Sequence, residues 1–141
     1  MEEQTARKFS FKVLGEPVAK ARPRFNSKTR MTYTNKKTKN AERLIQTEYI
    51  KQGGGNRNDY SGKVEIELVF VFPIRKSWSK VKKRGMWNKA HTIKPDLDNL
   101  EKTVLDALNG LAFKDDSQVC LVTKEKFWND EAYTEIKITY E

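Results

Sequence analysis

Residues 8–14, KFSFKVL, alternate apolar and polar positions with Phe9, Phe11 and Val13 on one side, and this period of two predicts a strand. Pro17 and Pro23 then keep GEPVAKARPRFN out of regular helix. Residues 36–51 read as a helix with Ala41, Leu44, Ile45 and Tyr49 on its apolar face. Gly53-Gly54-Gly55 ends it, and GGGNRNDYSG reads as the most flexible connector of the chain. Residues 63–72, KVEIELVFVF, put Val64, Ile66, Leu68, Phe70 and Phe72 on one face. Val69 and Val71 make the far end of that run apolar on both faces, which predicts an interior strand. Residues 97–109 read as a helix, since Leu97, Leu100, Val104, Leu108 and Leu111 recur at spacings of three and four, and Gly110 stands where a C-cap belongs. Residues 117–128 and 132–140 are β-rich, and Asn129-Asp130-Glu131 between them predicts a hairpin. The order of strand, helix, strand, helix, strand, strand predicts an α+β domain, with a small mixed β-sheet and two packed α-helices.

With 141 residues and no break between two cores, the chain is expected to form a single domain over 1–141. No apolar stretch approaches the ~20 residues of a membrane span. MEEQTARKFS lacks the apolar core of a signal peptide, and one cysteine, Cys120, excludes an internal disulfide, so a cytoplasmic protein is expected.

Charge changes this picture. The chain has 28 Lys+Arg against 19 Asp+Glu, a net charge of +9, and the excess is not evenly spread. Residues 17–41 hold eight bases and no acid, among them Lys20, Arg22 and Arg24. Residues 68–95 hold eight more and no acid, among them Lys76, Lys80, Lys82, Lys83, Arg84 and Lys94. Ordinary surfaces mix their signs, so two such tracts read as flexible basic loops, near 17–39 and 73–95, that contact a polyanion. Phe25, Tyr33, Trp78 and Trp87 within them suit stacking on bases, which favours nucleic acid.

The candidate chemistry lies in KPDLDNLEKTVLDALNGLAFKDDSQV, residues 94–119. Asp96 precedes the helix, Asp98, Lys102 and Asp106 recur every four residues on its polar face, and Asp115-Asp116 follow it. From Asp98 to Gly110 a helix climbs roughly 18 Å, and an extended chain returns at most roughly 20 Å by Asp116. Asp116 therefore joins Asp96 and Asp98 only if residues 111–116 run straight back along the helix. If they curl, one chain cannot assemble the set. Gathered carboxylates repel one another, and a hard cation such as Mg²⁺ or Mn²⁺ relieves the repulsion. Such an ion beside basic tracts would hold a phosphodiester and cut it. Ordinary structural roles stand equally well on spacing alone. Asp98 with Glu101 fits a capping box, Asp98–Lys102 and Lys102–Asp106 fit helical ion pairs, and Asp115-Asp116-Ser117 fits a turn. His91 reads as a loop or DNA-contact residue, and Cys120 as packed in a strand.

This combination resembles the RusA-type Holliday-junction resolvases, common in bacteria and their prophages. The resemblance is densest over residues 94–119, with Asp-x-Asp-Asn-Leu, a lysine, an Asp-Ala-Leu helix and a later Asp-Asp. GEPVAKARPRF, YTNKKT and FPIRKSWSK extend it over most of the chain. It implies a homodimeric, Mg²⁺-dependent endonuclease (Mn²⁺ substituting) that nicks branched DNA, above all four-way junctions, without a small-molecule cofactor. By position, Asp96, Asp98 and Asp116 match the family's metal-site acids, Lys102 its active-site lysine and Asp115 its accessory acid. Pro95 departs from members that carry Arg there. Arg22, Arg24, Lys82, Lys83 and Arg84 would then grip the junction arms. A non-catalytic binder of branched DNA, or a nuclease acting mainly on flaps, remain the other readings.

Overall fold

The computed structural model describes residues 7–21, 24–28, 31–33 and 36–141, with only the backbone of 24–26 and 31–33. Its elements are β1 (Arg7–Leu14), β2 (Arg24–Asn26), β3 (Met31–Tyr33), α1 (Lys36–Lys51), β4 (Val64–Pro73), α2 (Lys80–Met86), α3 (Leu97–Leu108), β5 (Val119–Asn129) and β6 (Tyr133–Tyr140). β1, β6, β4 and β5 form a four-stranded mixed sheet in that order, and β2 and β3 form a separate two-stranded ribbon. The α+β reading holds, with α1 and α3 as the two packed helices. The short α2, which buries no residue, and the β2–β3 ribbon are additional.

β4 is interior, as its two apolar faces require. Val64, Ile66, Leu68, Phe70 and Phe72 are buried on the helix side and Val71 on the other. It pairs in parallel with β5, through the α3 crossover, and antiparallel with β6.

The expected hairpin of residues 117–140 does not form. β6 instead inserts between β1 and β4, antiparallel to both. Thr134, Ile136, Ile138 and Tyr140 line one face of β6 and are all buried in the core. β5 carries Lys124 and Lys126 in register with Leu68 and Phe70, on the core side of the sheet, and such a strand suits an edge. The outer side of that edge is partly covered. Residues 88–91 run along it, with Asn88 N–H donating to the Trp128 carbonyl, Trp128 N–H to that of Lys89 and His91 N–H to that of Lys126.

α1 spans the expected residues, but its buried face is Thr38, Ile45 and Tyr49. Leu44 is 46% exposed, because the apolar stripe of this lysine-rich helix is too narrow to bury it. The tyrosine is held by ring edges, with centroids 5.3 Å from Phe9 and 5.6 Å from Phe11. Residues 53–62 are less free than their composition implies. Gly53 turns the chain at φ +105°, Arg57 N–H donates to the Leu111 carbonyl, and the Tyr60 hydroxyl shares its one proton between the backbone oxygens of Lys63 and Glu141.

Nor are the two basic tracts plain loops. The first contains β2, β3 and the start of α1, and the second contains α2 and the edge-covering segment. Cys120 lies in β5 as expected but is exposed. No helix among the described residues is long and apolar enough to cross a membrane.

Truncating Ile138 to Ala should cost about 2–5 kcal/mol in urea unfolding, whereas Leu44→Ala should cost under about 1 kcal/mol. Equal costs would contradict the burial assigned to these two side chains.

Candidate active site

Asp96 occupies the N-cap of α3, yet its side chain makes no capping hydrogen bond; only its backbone carbonyl accepts from Leu100 N–H. Asp98, in the first turn, accepts from Asn99 N–H at 3.0 Å through one oxygen. Both residues are exposed, and neither enters an ion pair among the described residues. The capping box of Asp98 with Glu101 is absent, as Glu101 pairs with Lys124 at 3.3 Å. Two carboxylates thus stand side by side in sequence with most of their acceptor capacity unused.

Their support comes from neighbouring elements. Lys126 donates to the carbonyls of Ile93 (2.5 Å) and Pro95 (2.6 Å), fixing the approach to Asp96 from the edge strand. Lys20 N–H donates to the Asn99 carbonyl at 2.9 Å, so the end of the 15–21 loop lies against the same first turn. Sequence reasoning missed Lys126. Its signal is a lysine on the core side of a strand, in line with Val122 and Trp128.

Asp116 does not join the pair within one chain. After Gly110, at φ +78°, Leu111 and Ala112 N–H both donate to the Leu108 carbonyl, so the chain curls at once. Ala112 and Phe113 are fully buried under α3, and this burial prevents a straight return. Asp116 N–H donates to Asn109 Oδ1 at 3.1 Å, which leaves the residue at the C-terminal end of α3. Twelve helical residues separate it from Asp96, roughly 18 Å of rise. Asp115 is occupied locally. It accepts from Ser117, and its own N–H donates to Gln118, completing a capping box on the 3₁₀ turn Asp116–Gln118. These bonds, the Ser117 hydroxyl foremost, hold its carboxyl below the ordinary range.

The cations divide into two groups. Lys20 is committed inside the fold, 2.7 Å from Glu42 and 3.1 Å from Asp106, joining α1 to α3. Burial opposes its charge, but the hydrogen bonds and charges of both acids prevail and raise its pKa. The expectation that it contacts DNA gives way to this structural role, and the expected Lys102–Asp106 pair is replaced by it. Lys102 is exposed, one turn beyond Asp98 and without an ion pair among the described residues. Lys76, Lys80, Lys82, Arg84 and Lys94 are exposed and Lys83 half-buried. Lys82 lies 4.6 Å from the Trp78 ring centre. Arg22 is outside the described residues, and for Arg24 only the backbone is described, in β2.

Among the described residues, no three Asp, Glu, His or Cys side chains come together as a metal site. Asp96 and Asp98 still fit a hard cation of the Mg²⁺ type, which typically takes one or two carboxylates and completes its shell with phosphate oxygens and water. Such an acid pair, at one end of a helix and bordered by basic segments, suits the handling of a phosphodiester backbone. The family model for endodeoxyribonuclease RusA matches residues 15–139. The chain is also 34% identical over 134 residues to the uncharacterized protein YqaN of Bacillus subtilis (strain 168), across 91% of this chain and 93% of that protein. This chain belongs to the RusA endodeoxyribonuclease family.

Replacing Lys20 by Met should lower stability by about 1–2 kcal/mol at neutral pH, because Glu42 and Asp106 are then left without their shared cation. A pKa raised by folding means the contribution is complete at neutral pH and fades only as pH rises past the usual lysine range, near ~10.4. A variant whose deficit changes between pH 6 and 8 would contradict this account.

Proposed function

We propose that this protein is a Mg²⁺-dependent endonuclease that resolves four-way DNA junctions by paired nicks, one from each subunit of a homodimer. The observation that carries the proposal is the acid pair itself. Asp96 holds an N-cap position without capping, and Asp98 keeps an oxygen free one turn from the exposed Lys102. Asp96 and Asp98 would hold the cation, which supplies Lewis-acid charge and lowers the pKa of attacking water. Lys102 contacts the scissile phosphate. Water adds to phosphorus, one P–O ester bond breaks, and a phosphomonoester and a hydroxyl are left.

Because Asp116 emerges at the far end of α3, it completes this site from a second copy. Two chains with α3 helices antiparallel across a two-fold axis bring Asp116 of the partner subunit towards Asp96 and Asp98, with Asp115 bracing its turn. Two such composite sites match the two strands that must be nicked, and two-fold pairing is the commonest protein symmetry. Arg22, Arg24, Lys76, Lys80, Lys82, Lys83, Arg84 and Lys94 supply the phosphate contacts to the arms.

With Mg²⁺ and a synthetic four-way junction, Asp98→Asn should bind but not cut, and Asp116→Asn likewise. Mixed together, the two variants form some heterodimers with one intact composite site, and single-strand nicking should return without paired incision. No recovery would place all three acids in one subunit. Wild type that binds junctions yet never nicks them would leave a binding protein, and equal cutting of flaps would broaden the substrate. Replacing Lys82, Lys83 and Arg84 by Ala should reduce the slope of log affinity against log salt by about one for each phosphate no longer neutralised. An unchanged slope would remove α2 from the DNA footprint.

A further inference from the structure

A cavity of about 340 Å³ lies outside the carboxyl ends of the parallel strands β4 and β5, within the ~300–1,000 Å³ range of ligand sites. Phe72, His91 and Trp128 form its floor. The imidazole is stacked 4.1 Å from Phe72 and lies 4.3 Å from Trp128, centre to centre. Arg75, Lys76 and Lys94 stand at the rim together with one acid, Glu16. Pro95, in the wall, directly precedes Asp96.

One atom in the floor is out of place. His91 is only 4% exposed, and its Nδ1 is buried without a hydrogen-bond partner. Buried polar atoms almost always have partners, so an exception calls for a ligand or a reason. Burial first, then the charge of Lys126, push the imidazole below its ordinary pKa, against the opposing pull of backbone hydrogen bonding at His91 and Ile93. A buried imidazole and the Glu16 carboxylate do not suit an anion alone. They suit a flat polar group with N–H donors, while the three rim cations suit a phosphate attached to it. A nucleotide combines both.

We propose that this slot receives one unstacked nucleobase of the DNA substrate, its edge hydrogen-bonded to His91 Nδ1 as the imidazole turns to uncover that atom, and its phosphate held by Arg75, Lys76 and Lys94. The proposal rests on the reading that DNA is processed at Asp96 and Asp98, and it adds a second anchor beside them. A base carrying an exocyclic amino group satisfies both His91 and Glu16. The base leaves its stack most readily where stacking is already broken, at a branch point. The slot thereby sets the register of the strand relative to the acid pair.

The test places 2-aminopurine, which keeps an amino group, at each nucleotide flanking the crossover of a four-way junction. Fluorescence is read with the full-length protein in EDTA, so no cleavage is needed. A several-fold rise at one position, repeated in the symmetry-related strand, is expected. Removing the base at that position should weaken binding about five- to tenfold. His91→Phe keeps the ring stack and deletes the nitrogen. This variant should melt no lower than wild type, yet lose the fluorescence rise and the same five- to tenfold in affinity. If His91→Phe fails to fold, Arg75→Ala with Lys76→Ala, both at exposed positions, should reduce the rise instead. A chain that cuts junctions with Mg²⁺ but raises fluorescence at no position overturns the slot and spares the nuclease. A chain that raises it and cuts nothing supports the slot while the nuclease reading fails. A folded His91→Phe protein with an undiminished signal also overturns the slot.

Discussion

Ala112 and Phe113 lie in the core beneath α3, entered through the positive φ of Gly110 and left through the capped turn at Asp115. Their burial decides which way the chain leaves the helix, and so where the later acids appear. Had those two residues been polar, residues 111–116 would have been free to run back along α3. Instead the fold holds Asp96 and Asp98 at one end and Asp116 at the other. Apolar burial, rather than any electrostatic preference, thus determines how many carboxylates one subunit offers at each place. Keeping like charges apart also spares the lone chain the repulsion that three converging acids would create.

The positive charge of the protein is likewise divided by function. Lys20 joins α1 to α3, Lys124 pairs with Glu101, and Lys126 holds two carbonyls ahead of Asp96. These three ammonium groups serve the fold and are poorly placed to neutralise a polyanion. The cations of α2 differ, since that short helix has no fully buried residue and displays Lys80, Lys82 and Arg84 at exposed positions. The net charge of +9 thus includes lysines committed to the fold as well as exposed cations such as those of α2, Lys76 and Lys94.

Much of the architecture was legible in the sequence because apolar periodicity follows directly from burial. The two-sided apolar character of β4 announced an interior strand, and the leucine spacing and Gly110 marked the extent of α3. The pairing of β5 with β6 was misread because a turn sequence reports only that a chain turns. Which strands then meet is a long-range matter, and β6 pairs with β1 and β4, more than 60 residues away in the chain. Asp96 and Asp98 stood out through the family-like Asp-x-Asp-Asn-Leu pattern, since spacing alone suited structural roles equally well. The distance to Asp116 was not legible, since it turned on the burial of Ala112 and Phe113, a tertiary event. Lys20 sat within an acid-free tract and looked free, yet its partners Glu42 and Asp106 lie 22 and 86 positions away in the chain.

The segment 88–91, bonded along the outer edge of β5, together with the Lys126 clamp on residues 93 and 95, separates two parts of the chain mechanically. Upstream of it, residues 74–87 form an excursion that begins at the end of β4 and carries α2. Downstream, the first turn of α3 is registered against the sheet by bonds that do not involve that excursion. Changes at the exposed positions of this excursion can therefore be absorbed without displacing Asp96, while Ile74, Trp78 and Met86 stay packed on the core.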